Sequence, residues 1–128
     1  MNIGEVAKLT GLSSKSIRLY EEKGLIAPPL RSESGYREYS KLQIQQLNLI
    51  SRAKNAGFSL AECKDFVHLA EDPHRQSRDV KSRTEEKLKE IEVKIRELTE
   101  IKKQLKNWVS ACPGDSGSQC PIIEDLTK

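Results

Sequence analysis

"IGEVAKLTGLSSKSIRLYEEKGLIAPPLRSESGYREYS", residues 3–40, decides the fold. Asn2 stands just ahead of it and Glu5 follows three residues on, a capping-box spacing that opens a first helix. Ile3, Val6 and Ala7, with Leu9 at the edge, give that helix one apolar face, and Gly11 stops it. Ser13 or Ser14 then caps a second helix whose apolar positions include Ile17, and Gly24 ends it. Two short helices parted only by Gly11-Leu12-Ser13 make a helix-turn-helix. Beyond them Pro28 and Pro29 break helix, Ser34-Gly35 reads as a turn, and Tyr36 and Tyr39 favour extended chain. This segment is expected to be a short hairpin, or wing.

Downstream, Ser40 and Gln43 form a capping box for a third helix carrying Leu42, Ile44, Leu47 and Ile50, which Gly57 ends. Ser59 and Glu62 form another, opening "LAECKDFVHLA", and Asp72-Pro73 marks a linker. From Asp79 to Trp108 there is neither Gly nor Pro. Thr84, Leu88, Ile91, Ile95, Leu98, Leu105 and Val109 follow a 4-3 heptad spacing, with Lys102 at one seam position. A stripe so narrow on a helix of ~45 Å either packs on its own domain or pairs with a second copy. Length and stripe width favour a two-helix coiled coil. Cys112-Pro113-Gly114 ends the long helix, and Pro121 suits the first position of a short last one, "PIIEDL". The expected fold is mainly α. A winged helix-turn-helix occupies 1–70, a linker 71–78, a dimerisation helix 79–111, and a metal-binding loop with its short C-terminal helix 112–128.

The chain is 36% hydrophobic and 32% charged, with mean hydropathy −0.63, which suits a helix-rich protein with a thin core. No apolar run approaches the ~20 residues of a membrane span, and "MNIGEVAKLTG" lacks a secretory pattern. The expectation is a cytoplasmic protein, away from membranes, with reduced thiols. Three cysteines are an odd number and argue against a secreted disulfide framework. The net charge of +3 is uneven. Residues 1–58 carry nine Lys/Arg against five Asp/Glu, or +4, and residues 59–128 carry thirteen against fourteen, or −1. An anionic partner, if any, belongs to the N-terminal half.

The second helix offers Ser14, Lys15, Arg18 and Tyr20 to a major groove, and the wing offers Arg31, Tyr36 and Arg37 to phosphates. Any one of these fits a solvated basic surface equally well; together, in the order helix, turn, helix, wing, they point to DNA. Catalytic constellations are missing: there is no Gly-rich phosphate loop and no supported Ser-His-Asp or paired-carboxylate arrangement, so an enzyme is not expected.

The tail stretch "ACPGDSGSQCPII", 111–123, holds Cys112 and Cys120 on a loop bounded by prolines. Structural zinc takes four ligands, commonly with closer cysteine spacing, and iron–sulfur clusters take four thiolates. Both are disfavoured by two cysteines with no histidine in the loop. A regulatory disulfide stays open. A soft monovalent ion, Cu(I), fits best, and Ag(I) or Au(I) would be accepted by the same two thiolates. Cys120, ahead of Pro121, can cap the last helix, where the positive helix end favours thiolate. Cys112 at a helix C-terminus has the opposite bias, so its deprotonation falls to the metal. Cys63, His68 and His74 have no partner at ligand spacing and are read as core or surface groups; Trp108 is expected to pack near the loop.

Residues 3–40 resemble the N-terminal domain of the MerR family of bacterial transcription regulators. The likeness continues through "QLNLISRAKNAGFSLAE", the linker and the long helix, so it covers essentially the whole chain. The resemblance implies a winged helix-turn-helix, an antiparallel coiled-coil homodimer, and an effector site after the coiled coil. It also implies promoter DNA whose two elements are badly spaced for RNA polymerase until the activated dimer distorts it. The tail is similar to that of the copper-responsive branch. A gold- or silver-selective relative and a dithiol redox regulator are the alternatives. Divalent-sensing branches place a cysteine at the start of the long helix. Ser77 stands there in this chain, which the resemblance reads as a metal-selectivity position and the residues alone read as an ordinary helix start.

Overall fold

The computed structural model describes residues 1–128 as six helices and one two-stranded sheet. They form two compact units, Met1–Thr84 and Glu85–Lys128. Helix α1 spans Ile3–Thr10 and α2 spans Ser14–Glu22. Asn2 caps α1 by accepting the Glu5 N–H at 2.9 Å, and its own amide donates to the Glu5 carboxylate at 2.9 Å. The expected box is therefore closed side chain to side chain. Gly11, at φ 74°, turns the chain out of α1 in a conformation that costs a residue with a Cβ. Ser13 is the cap of α2, accepting the Ser16 N–H at 3.0 Å.

The wing is β1, Leu30–Arg31, paired antiparallel with β2, Arg37–Glu38, in the register Leu30↔Glu38 and Arg31↔Arg37. Gly35, at φ 84°, supplies the left-handed residue of its turn. Just after β2, the Tyr39 N–H donates to the Met1 carbonyl at 2.9 Å, tying wing to N-terminus.

Helix α3, Lys41–Asn55, and α4, Leu60–Glu71, both open with complete capping boxes, Ser40 with Gln43 and Ser59 with Glu62. Gln43 is buried and also donates its amide to the carbonyls of Ala27 (3.0 Å) and Pro28 (3.3 Å), so one side chain fixes both the start of α3 and the strand leading to the wing. Replacing Ser40 with alanine is expected to lower unfolding stability by ~1 kcal/mol, read as a shifted midpoint in urea denaturation. A change within a few tenths of a kcal/mol of zero would show that Gln43 holds the helix start alone.

Val6, Ile17, Tyr20, Leu25, Ile26, Tyr39, Leu47, Ile50, Cys63 and Val67 make the core of the first unit, drawn from α1–α4 and the wing. Phe58 and Phe66 meet edge to face, with centroids 4.8 Å apart. Cys63 is fully buried, its thiol 3.9 Å from the Ile50 carbonyl, and burial raises its pKa.

Helix α5 runs Ser77–Ala111 without a break, and α6 covers Pro121–Leu126. The expected linker is shorter than 71–78. α4 continues to Glu71, and α5 starts at Ser77, where the Asp79 N–H already donates to the Gln76 carbonyl at 3.0 Å. Leu88, Ile95, Leu98, Leu105 and Val109 along α5 are exposed. No helix is long and apolar enough to cross a membrane.

Candidate DNA interface and thiol site

Four of the residues read as DNA contacts meet in one place. Arg18 of α2, Arg31 and Arg37 of the wing strands, and Tyr36 of the turn line a cleft of about 480 Å³, together with Asn2 and Ile3. Arg18 and Tyr36 are exposed. Arg31 donates from Nη1 to the Gly35 carbonyl at 3.0 Å, which stiffens the turn. Arg37 donates from Nε to Glu21 Oε2 at 3.1 Å, and the Tyr39 hydroxyl donates to the other Glu21 oxygen. Burial first, then the Glu21 carboxylate, pushes the Tyr39 phenol far above its ordinary value, so it stays a donor. One carboxylate of α2 thus grips two wing residues and sets the distance between helix and wing. Three guanidinium groups lining one concave surface suit a phosphodiester backbone.

Ser14 and Lys15 begin α2, Ser14 half-buried and Lys15 exposed. Tyr20 is a correction. It lies in the core at 4% exposure, three residues after the fully buried Ile17, and desolvation raises its phenol pKa. A ring packed inward is not free to contact DNA. The periodicity that places Ile17 inside places Tyr20 beside it. Glu21 was not singled out from the sequence. The cue was the alternation in Arg37-Glu38-Tyr39, which sends Arg37 and Tyr39 to one face of the wing, where both require an acceptor.

The second site is built at the end of α5. Cys112 follows its last residue, and the Cys112 N–H donates to the Trp108 carbonyl at 3.0 Å. Cys120 is the N-cap of α6, with Pro121 at the first helical position. The loop between them brings the two sulfurs to 3.7 Å, both as free thiols and both half-buried. The Ile123 backbone N–H does most to hold the Cys120 thiol below its ordinary pKa. Desolvation opposes it, and Cys112 and the Ile122 N–H assist. That N–H shifts the thiol without completing a capping hydrogen bond. Nowhere do three or more His, Cys, Asp or Glu side chains gather as a metal cluster. The donor set is therefore two soft sulfurs, one already biased toward thiolate, which fits a soft ion of low coordination number. Ser77 opens α5 and is exposed. Trp108 is half-buried and donates its indole N–H to Asp125 Oδ2 at 2.7 Å.

Comparison with known proteins agrees with this architecture. Residues 1–69 match the family described as MerR HTH family regulatory protein, and residues 44–108 match MerR, DNA binding. The chain is 60% identical over 126 residues to the HTH-type transcriptional regulator CueR of Vibrio cholerae serotype O1, covering 98% of this chain and 91% of that one. It is 53% identical over 127 residues to the CueR of Escherichia coli O6:H1, covering 99% and 94%. Among solved structures, the transcription regulator PbrR691 from Ralstonia metallidurans CH34 in complex with lead(II) superposes with a TM-score of 0.83 at 27% identity, covering 98% of each chain. With its winged helix-turn-helix, its long helix and a family match running from residue 1 to residue 108, the chain belongs to the MerR family of DNA-binding transcription regulators and is not an enzyme.

Proposed function

We propose that this protein is a homodimeric, Cu(I)-responsive transcription activator, with Cys112 and Cys120 as the metal ligands. The observation that carries the reading is the pair of free sulfurs 3.7 Å apart with no third donor group gathered around them. Two thiolates suit Cu(I), Ag(I) or Au(I), whereas divalent ions favour more ligands. Ser77, at the start of α5, would face the partner's cysteine loop in an antiparallel dimer, where a serine adds no soft donor and keeps the site monovalent. The homology to regulators named CueR supports a copper-type sensor.

α5 supports the homodimer. Its 35 residues span ~52 Å at the helical rise and carry a heptad stripe that a single chain leaves exposed. A second copy running antiparallel buries that stripe. Each α2 then enters a major groove through Ser14, Lys15 and Arg18, while Arg31, Tyr36 and Arg37 hold the flanking backbone. Metal activates transcription by favouring the conformer that distorts the promoter, so that RNA polymerase engages both of its elements. The coupling this requires is ~1–3 kcal/mol, typical of allostery.

Transcription in vitro from a copper-efflux promoter, with buffered Cu(I), Ag(I), Au(I), Zn(II) and Hg(II), tests the metal assignment. Activation by the monovalent ions alone is expected; activation by Zn(II) would overturn it. Reversible activation by a mild oxidant without metal would favour the redox regulator instead. The DNA face has a separate test. Arg18→Ala and Arg37→Ala are each expected to weaken promoter binding and to reduce the slope of log K against log salt by about 1. An unchanged slope in both variants would remove these residues from the interface.

A further inference from the structure

Between Cys112 and Cys120 the chain has little to hold its shape. Residues 113–119 are exposed, and the loop's own side-chain bond is Gly117 N–H to Asp115 Oδ1 at 2.9 Å. α6 has six residues, too few to be stable without support. Yet the sulfurs meet. Apart from the sulfur pair itself, one side-chain hydrogen bond joins the two ends of the loop: Trp108 Nε1–H to Asp125 Oδ2, at 2.7 Å.

We propose that Trp108 and Asp125 form a clasp that holds Cys120 opposite Cys112, and are positioning residues for the metal site. Trp108 acts at both levels of the chain. Its carbonyl accepts the Cys112 N–H at 3.0 Å, and its indole reaches the helix that Cys120 caps. Asp125 lies on α6, five residues beyond Cys120, so fixing Asp125 fixes the direction from which Cys120 enters. The other Asp125 oxygen, Oδ1, is 3.4 Å from Lys128 Nζ. The indole N–H first, and Lys128 second, hold the Asp125 carboxyl below its ordinary pKa, which keeps it an acceptor. Trp108, Ala111, Pro121 and Asp125 line the same shallow cleft, of about 360 Å³, where α6 lies against the end of α5. A loop ordered before the ion arrives loses less conformational freedom on binding, so the clasp acts on affinity. The inference rests on Cys112 and Cys120 being the ligands.

The test uses the full chain and Cu(I) competed against a chromogenic diimine chelator. Variants are Trp108→Phe, which keeps a ring and removes the N–H; Asp125→Ala; the pair combined; and Asp125→Asn, which keeps an acceptor oxygen. Each of the first two is expected to weaken Cu(I) binding about tenfold, as loss of an outer partner does at metal sites. The combined variant should be no weaker than either alone, since both remove one bond. Asp125→Asn should bind Cu(I) more tightly than Asp125→Ala, because its amide oxygen still accepts the indole N–H. Promoter affinity without metal should not change, separating a loosened loop from a damaged fold. Unaltered Cu(I) affinity in Trp108→Phe and Asp125→Ala, additive losses, or no rescue by asparagine would each overturn the clasp. Cys112→Ser and Cys120→Ser run alongside. If they lose Cu(I) while the clasp variants keep it, the clasp alone is wrong. If they keep it, the ligand assignment fails and the clasp with it.

Discussion

Cys112→Ser and Cys120→Ser are each expected to abolish metal-activated transcription while leaving promoter binding intact. The sulfurs are 3.7 Å apart and no cluster of three or more potential ligands is present, so losing either leaves a single soft donor. The loss of Cu(I) affinity should exceed the roughly 10–100-fold that follows removal of an outer-shell partner. Serine is close in shape to cysteine but is a hard, poorly ionised donor, so the fold survives and the ligand does not. Transcription and chelator competition, run on both variants, decide the matter. Retained activation in either would mean that one thiolate suffices or that the ligands lie elsewhere.

Leu47→Ala should have the largest effect on stability, costing the first unit about 2–5 kcal/mol. Leu47 is fully buried in the cluster that also holds Val6, Ile17 and Ile50, and α3 packs on both α1 and α4. Against a typical total of about 5–15 kcal/mol, that is a large share. Thermal denaturation followed by circular dichroism should place the transition of this unit lower by roughly 10 °C or more. A drop of only a degree or two would mean that neighbouring side chains collapse into the space. Promoter binding should fall with it at temperatures where the variant unfolds, because α2 is positioned by the same core.

Much of this architecture was legible in the residues because its devices are local. Capping spacings at Asn2, Ser13, Ser40 and Ser59, and glycines at 11, 24 and 57, mark helix ends without tertiary information. The heptad along α5 is read the same way. What stayed out of reach depends on contacts between distant segments. Glu21 is an unremarked acid on a polar helix until the wing brings Arg37 and Tyr39 to it, sixteen and eighteen residues away. Asp125 gains meaning only from Trp108, seventeen residues earlier. Tyr20 is ambiguous for another reason: a tyrosine suits both a core and a DNA surface, and its packing beside Ile17 decides for the core. The heptad does not mark the first turn of α5, because Ser77 and Arg78 carry no apolar signal, although backbone hydrogen bonding needs none.

The Glu21 grip bears on how promoter preference can be transplanted between relatives. A chimera carrying only a foreign α2 would meet Arg37 and Tyr39 with whatever residue replaced Glu21. Without a carboxylate there, a half-buried guanidinium and a buried phenol lose their shared acceptor, and the wing loses that tie to α2. Residues 13–43 therefore travel as one cassette: recombination inside it scrambles grip and reading together, whereas recombination beyond Gln43, whose amide holds the Ala27 and Pro28 carbonyls, leaves both whole.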